Sequence, residues 1–159
     1  MNQKEKIEKI KEFRLIDDVF FEVFASDIPA CQEILRTILE DEKLIVNDVI
    51  VQSSERNIYG RSVRLDALCT LGDGSLCNIE IQRSDNDNHL KRARFNAASI
   101  TVKESEPGIN FENVKDVYIV YISEKDFFKA GLTTYHIDKI IRENGITVED
   151  GLHEIFVTA

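Results

Sequence analysis

The sequence predicts an α/β (α+β) domain in which a mixed central β-sheet is flanked by helices. Three observations predict it. Apolar residues recur at helical spacing near the start, at Val19, Phe20, Val23 and Phe24. The stretch RLDALCTLGDGSLCNIEIQR, residues 64 to 83, reads as two strands joined by a glycine-rich turn. VYIVYI, residues 117 to 122, is a short unbroken apolar run, the mark of a strand covered on both faces.

The elements follow in order. A first helix spans residues 17 to 25. Asp27 is placed to cap a second helix, with Pro29 in its first turn and Ile34, Leu35, Ile38 and Leu39 carrying it to about Glu40. From Leu44 the pattern becomes extended, and LIVNDVIVQ is β-branched and partly alternating. Asn57 to Gly60 reads as a turn, and the hairpin supplies the next two strands. Polar SDNDNH interrupts the pattern and can cap a helix over HLKRARFNAASITVKES, with Leu90, Ala93, Ala97 and Ile100 on one face. EPGIN is a loop, and the mixed segment from Ser123 to Gly131 suggests a helical turn. YHIDKIIRE and LHEIFVT supply a closing pair of strands.

At 159 residues and 43% hydrophobic content, the chain has the size of one domain with a real core. No apolar run approaches the ~18 residues of a membrane span. The charged start MNQKEKIEKIKEF lacks the apolar centre of a secretory signal, so the expectation is a cytoplasmic protein with no membrane partner. The three cysteines, Cys31, Cys69 and Cys77, are odd in number and show no CxxC spacing, which argues against a disulfide scaffold or a zinc site. The chain stops directly after a strand-like run, which suggests the N-terminal part of a longer protein. A net charge of −9 disfavours a simple basic nucleic-acid binder. It leaves open an enzyme that neutralises its own acids with metal ions, or one with a local basic face. Residues 83 to 103 are such a face, with Arg83, Lys91, Arg92, Arg94 and Lys103 against Asp85 and Asp87.

The hairpin raises a chemical question, because Asp66 and Glu80 each sit inside an apolar run. Side chains alternate along a strand, so Glu80 and Gln82 share a face. Whether Asp66 joins them depends on the turn. An odd loop, Gly72-Asp73-Gly74 with Gly74 left-handed, sets Asp66 opposite Glu80 and Cys69 opposite Cys77 on the other face. A two-residue turn throws the two acids onto opposite faces. In the first register the two Cβ atoms stand about 5 Å apart. Like charges that close repel and resist burial, and a hard divalent cation between them relieves both problems. Gln82 can orient a water or hold a phosphate oxygen, but it cannot act as a base or supply positive charge. Residue types alone also allow acids facing solvent on a sheet edge, or paired with Arg61 or Arg64.

An Asp in one strand followed by Glu-x-Gln in the next resembles the PD-(D/E)xK nuclease superfamily, where the last motif position is usually Lys and Gln is a known variant. The ordered segments DDVFFEVF, GRSVRLDALCTLGDGSLCNIEIQRSD, KRARFNAASI, VYIVYISEKDFF, YHIDKIIRENG and EDGLHEIFV are similar to the PD-(D/E)xK nuclease family transposases, relatives of the recombination-promoting nucleases. The resemblance runs from about Leu15 to the end. It implies a restriction-endonuclease-like core and metal-dependent cleavage of DNA, with Mg²⁺ or Mn²⁺ as cofactor, DNA as partner, and room for a homo-oligomer. Carried over residue by residue, Asp66 is the central metal ligand and Glu80 the second, the carbonyl of Ile81 completes the site, and Gln82 takes the lysine position. An acid of the first helix joins them. Asp18 is preferred to Asp17, with Glu22 third. Arg83, Lys91, Arg92 and Arg94 are the DNA-contact candidates. Arg92 and Arg94 lie two apart and point to different helix faces, so one reaches phosphate or the site and the other is solvated. His89 reads as a cap or surface residue. Phe95 stands where relatives often carry Tyr. The alternative to a nuclease is a catalytically silent interaction module on the same fold.

Overall fold

The computed structural model describes residues 17–55, 63–83 and 88–159. The first elements among the described residues are two short helices, α1 (Asp18–Ala25) and α2 (Ile28–Ile38). The side chain of Asp27 accepts the backbone N–H of Ala30 at 3.2 Å, and Pro29 lies in the first turn. Proline lacks the N–H that a first turn would leave unpaired, so it starts this helix without loss. Three strands follow, β1 (Val46–Glu55), β2 (Val63–Leu71) and β3 (Leu76–Gln82). The turn expected at Asn57 to Gly60 lies outside the described residues. Helix α3 (His89–Lys103) is capped by Asn88, whose side chain accepts from the Lys91 N–H at 3.0 Å. After a 3₁₀ turn at Phe111–Asn113 come β4 (Val117–Ser123), β5 (Thr134–Ile137), β6 (Lys139–Ile140), β7 (Thr147–Val148) and β8 (Leu152–Thr158).

The central sheet has six strands in the order β1-β2-β3-β4-β8-β5. It is mixed. β1, β2 and β3 run as an antiparallel meander, β3, β4 and β8 pair in parallel, and β5 returns antiparallel on β8. The parallel step from β3 to β4 requires a crossover, and α3 makes it. Both faces are covered. Phe21, Ala25, Cys31 and Leu35 of α1 and α2 pack on Ala67, Cys69, Cys77, Ile79 and Val120. Ala93, Ala97 and Ile100 of α3 pack on Leu68, Leu76, Ile119 and Tyr121 on the opposite face. This is the restriction-endonuclease-like arrangement that the sequence implies. Among the described residues, no helix is long and apolar enough to cross a membrane.

Several expectations need correction. Leu90 does not join the inward stripe of α3 and stays half exposed, while His89 and Asn96 are buried there with Ala93, Ala97 and Ile100. Polar residues face inward because they meet polar partners on the sheet. Nor is His89 a cap or a surface group. Its Nδ1 lies 2.9 Å from the Tyr121 hydroxyl and its ring stacks on Phe127 at 4.1 Å. No helical turn forms between Ser123 and Gly131. The carboxylate of Asp126 organises that loop instead, accepting from the backbone N–H groups of Phe128, Lys129 and Gly131 and from the Tyr135 hydroxyl. YHIDKIIRE is not one strand. It breaks at Asp138 into β5 on the main sheet and β6, which pairs with β7 in a separate hairpin.

Candidate active site

The turn between β2 and β3 settles the register. Gly74 has φ +88°, a left-handed backbone that glycine adopts at little cost. The Gly74 N–H donates to the Leu71 carbonyl, and the Leu71 N–H donates to Ser75. The loop is therefore Gly72-Asp73-Gly74, and Cys69 pairs with Cys77, Leu68 with Asn78 and Ala67 with Ile79. That register aligns Asp66 with Glu80. The backbone ladder stops one step before them, at Ala67 and Ile79.

Side chains take over where the ladder stops. The Ile81 N–H donates to Asp66 Oδ2 at 2.8 Å, and the Asp66 N–H donates to Glu80 Oε2 at 3.3 Å. Each carboxylate holds a backbone group at the opposite side of the gap. β1 bends at the same level, with Gln52 at φ +54° between the pairs Val51–Ala67 and Ser53–Leu65. Burial shifts there too. Ala67, Cys69 and Leu71 pack towards α1 and α2, whereas Leu65 packs in the cluster under α3. A cleft of about 410 Å³ opens at the bend, lined by Glu22, Gln52, Asp66, Ile81, Gln82 and Arg83 among others.

Glu80 is 0% exposed. Burial pushes its carboxyl above the usual carboxylate range, and the charge of Asp66 adds to the effect. Three donors pull the other way: Asn78 Nδ2 at 3.2 Å, the Asp66 N–H, and Arg92 Nη2 at 3.0 Å. Arg92 also donates from Nη1 to Gln82 Oε1 at 3.2 Å, so one guanidinium bridges the second acid and the amide of the motif. Burial opposes the charge of Arg92 most strongly of any one effect, but Glu80, Tyr121 and Asp66 together outweigh it and keep the guanidinium protonated. The carboxyl thus loses more by burial than it gains from its ion pair, while the arginine, whose side chain is 35% exposed, gains from it. Behind Glu80, Asn96 Nδ2 of α3 donates to Asn78 Oδ1 at 3.3 Å, tying the helix to the acid through one amide.

The sequence-derived residues are distributed as follows. Asp66, Glu80, Ile81, Gln82 and Arg92 come together. Asp18 opens α1, but its side chain is outside the described residues. Asp17 forms an ion pair with Arg83. Glu22, the third choice among the first-helix acids, lines the cleft with Asp66 and bonds Gln52, which in turn receives Arg64. Glu80 is neither an edge residue nor a partner of Arg64, since β3 is an interior strand and Glu80 is paired with Arg92, and Asp66 also lies on an interior strand; Arg61 lies outside the described residues. Lys91 and Arg94 are exposed on α3. Sequence reasoning missed Asn78 and Asn96. Both had a signal: Asn78 is two before Glu80 on the same strand face, and Asn96 is four after Arg92 on the same helix face.

The donor set is chemically suited to a hard divalent ion. Asp66 lines the cleft, with Glu80 buried next to it, and Mg²⁺ is held by one or two carboxylates together with waters and substrate phosphate. Among the described residues, no three His, Cys, Asp or Glu side chains form a fuller cluster.

A mixed sheet with helices on both faces and two acids at the open end of a hairpin defines a nuclease-like protein of the restriction-endonuclease type. The chain belongs to the PD-(D/E)XK nuclease family transposases, whose family model matches residues 14–157 of the 159. No curated protein and no solved structure matches it.

Proposed function

We propose that the protein is a divalent-metal-dependent DNA endonuclease that hydrolyses phosphodiester bonds at the Asp66–Glu80 site, with Mg²⁺ or Mn²⁺ as cofactor. The observation that carries this reading is the gap in the β2–β3 ladder, where two carboxylates replace backbone pairing beside a cleft. Two crowded acids, one fully buried, are a poor way to stabilise a sheet and a good way to hold a cation. Asp66, Glu80 and the Ile81 carbonyl would hold the metal, with Glu22, which lines the cleft, or Asp18 as the first-helix acid. When bound, it supplies polarisation of a phosphoryl oxygen and makes a water more acidic. The protein does the rest. Asp66 and Glu80 fix the ligand oxygens, Asn78 and Asn96 hold Glu80 in place, and Gln82 orients water or phosphate. Arg83, Lys91 and Arg94 bind the DNA backbone.

The test is cleavage of DNA with Mg²⁺ or Mn²⁺ by the parent and by Asp66→Ala. The parent cleaves and the variant loses at least about 10³-fold while keeping its circular dichroism spectrum. Equal cleavage by Asp66→Ala sinks the assignment. One observation favours a second reading, a silent interaction module: Arg92 already neutralises Glu80 with a protein cation. Calorimetry separates the two. A folded parent that takes up neither ion at millimolar concentration is the silent module.

A further inference from the structure

We propose that Arg92 is a catalytic residue of this site: its guanidinium, bridged between Glu80 and Gln82, supplies the positive charge that the phosphate needs in the transition state. The inference rests on the nuclease reading and deepens it. Hydrolysis of a phosphodiester spreads negative charge over the phosphoryl oxygens as water adds to phosphorus and the bond to the leaving oxygen breaks, and a fixed cation beside them lowers the barrier. Gln82 is neutral and cannot supply one.

Arg92 is the cation built into the place. It reaches Glu80 Oε1 at 3.0 Å and Gln82 Oε1 at 3.2 Å, its side chain is 35% exposed, and Gln82, which it holds, lines the cleft. Among the other basic candidates, Arg83 lines the cleft but is paired with Asp17, and Lys91 and Arg94 are exposed on other sides of α3. Arg92 is also held on a rigid support. Ala93, Ala97 and Ile100 seat the helix on the sheet, and Asn96, one turn on from Arg92, is bonded to Asn78 beside Glu80. A planar fork of donors held this way matches two phosphate oxygens at once, which an ammonium group does not.

The test pairs cleavage with a readout that does not depend on it. The proteins are the parent, Arg92→Gln, Arg92→Lys and the double variant Gln82→Lys/Arg92→Gln. Binding of a short fluorescent DNA duplex is followed by anisotropy without divalent metal over a range of NaCl. Arg92→Gln is expected to lose about 10²–10³-fold in cleavage. Its plot of log affinity against log salt is expected to flatten by about 1, the share of one phosphate contact. Arg92→Lys keeps the salt slope and part of the cleavage. The double variant returns cleavage to within about tenfold of the parent, because the site needs one cation whichever element carries it. If Arg92→Gln does not fold, the folded double variant is compared with the parent: cleavage within about tenfold supports the proposal, and a loss of about 10²-fold or more overturns it. An unchanged salt slope in Arg92→Gln, or a folded double variant as inactive as Arg92→Gln, makes Arg92 a structural partner of Glu80 and overturns the proposal alone. A parent that never cleaves DNA overturns the nuclease reading and this inference together.

Discussion

Glu80 is the residue whose environment is most at odds with its charge. Its carboxyl is raised by burial and by Asp66, so the folded protein binds its proton more tightly than the unfolded chain does. The sign follows. The stability that this proton confers is fully present below the unfolded value and is lost as pH rises through the raised folded value. Glu80→Gln keeps an acceptor for the Asp66 N–H and for Asn78 while removing the ionisation. The variant is expected to match the parent in acid and to exceed it by about 1 kcal/mol once the pH has passed that value. Thermal melts across the pH range read this directly. A parent that exceeds the variant at the higher pH would show that the ion pair with Arg92 outweighs the burial of the carboxyl. The same variant is expected to lose metal binding, so stability and function part company at one side chain.

At the scale of elements, the β2–β3 turn is fixed by one glycine and the start of β8 by another. Gly74 stands at φ +88° with nothing near the position a Cβ would take. Gly74→Ala therefore carries only the backbone cost of a left-handed residue, about 1–2 kcal/mol. Gly151, at φ +84°, is tighter: a Cβ there would lie 2.6 Å from Asp116 Oδ1, on a carboxylate whose other oxygen is 3.2 Å from His153 Nε2. Gly151→Ala is expected to cost more than Gly74→Ala in urea denaturation, and the reverse order would show that Asp116 moves aside freely. The hairpin and its two possible registers were legible in the sequence, but the choice between them was not, because Gly72-Asp73-Gly74 admits an odd loop or a two-residue turn; the caps at Asp27 and Asn88 are local and were legible. The β6–β7 hairpin was not. Its strands are exposed on both sides, so Ile140 and Val148 leave no alternation to read. Arg92 and His89 were misplaced or left open for another reason. Their partners, Glu80 and Tyr121, lie on strands that only the crossover brings beneath α3. Spacing along a helix shows which residues share a face, not what that face will meet.

For the molecule as a whole, the three cysteines report on the integrity of the core. Cys31, Cys69 and Cys77 are each 1% exposed or less, and Sγ of Cys31 lies 3.8 Å from Sγ of Cys69 between the sheet and α2. Burial pushes the Cys77 thiol far up, away from the reactive thiolate. A thiol reagent is therefore expected to modify all three quickly in denaturant, and in native buffer only at the rate of global opening. Early reaction of one cysteine would reveal a local opening of α2. The gap in the β2–β3 ladder also bears on the order in which the molecule assembles. β2 and β3 are neighbours in sequence, and a hairpin of that kind closes in about 1–10 μs. β4 can join β3 in parallel only after the intervening chain has passed across the sheet as α3, a slower search. Asp66 and Glu80 therefore meet early, while Arg92 and Asn96 arrive with the crossover. A nascent or half-folded chain holds two crowded acids without the helix that steadies them, until α3 and β4 dock on β3.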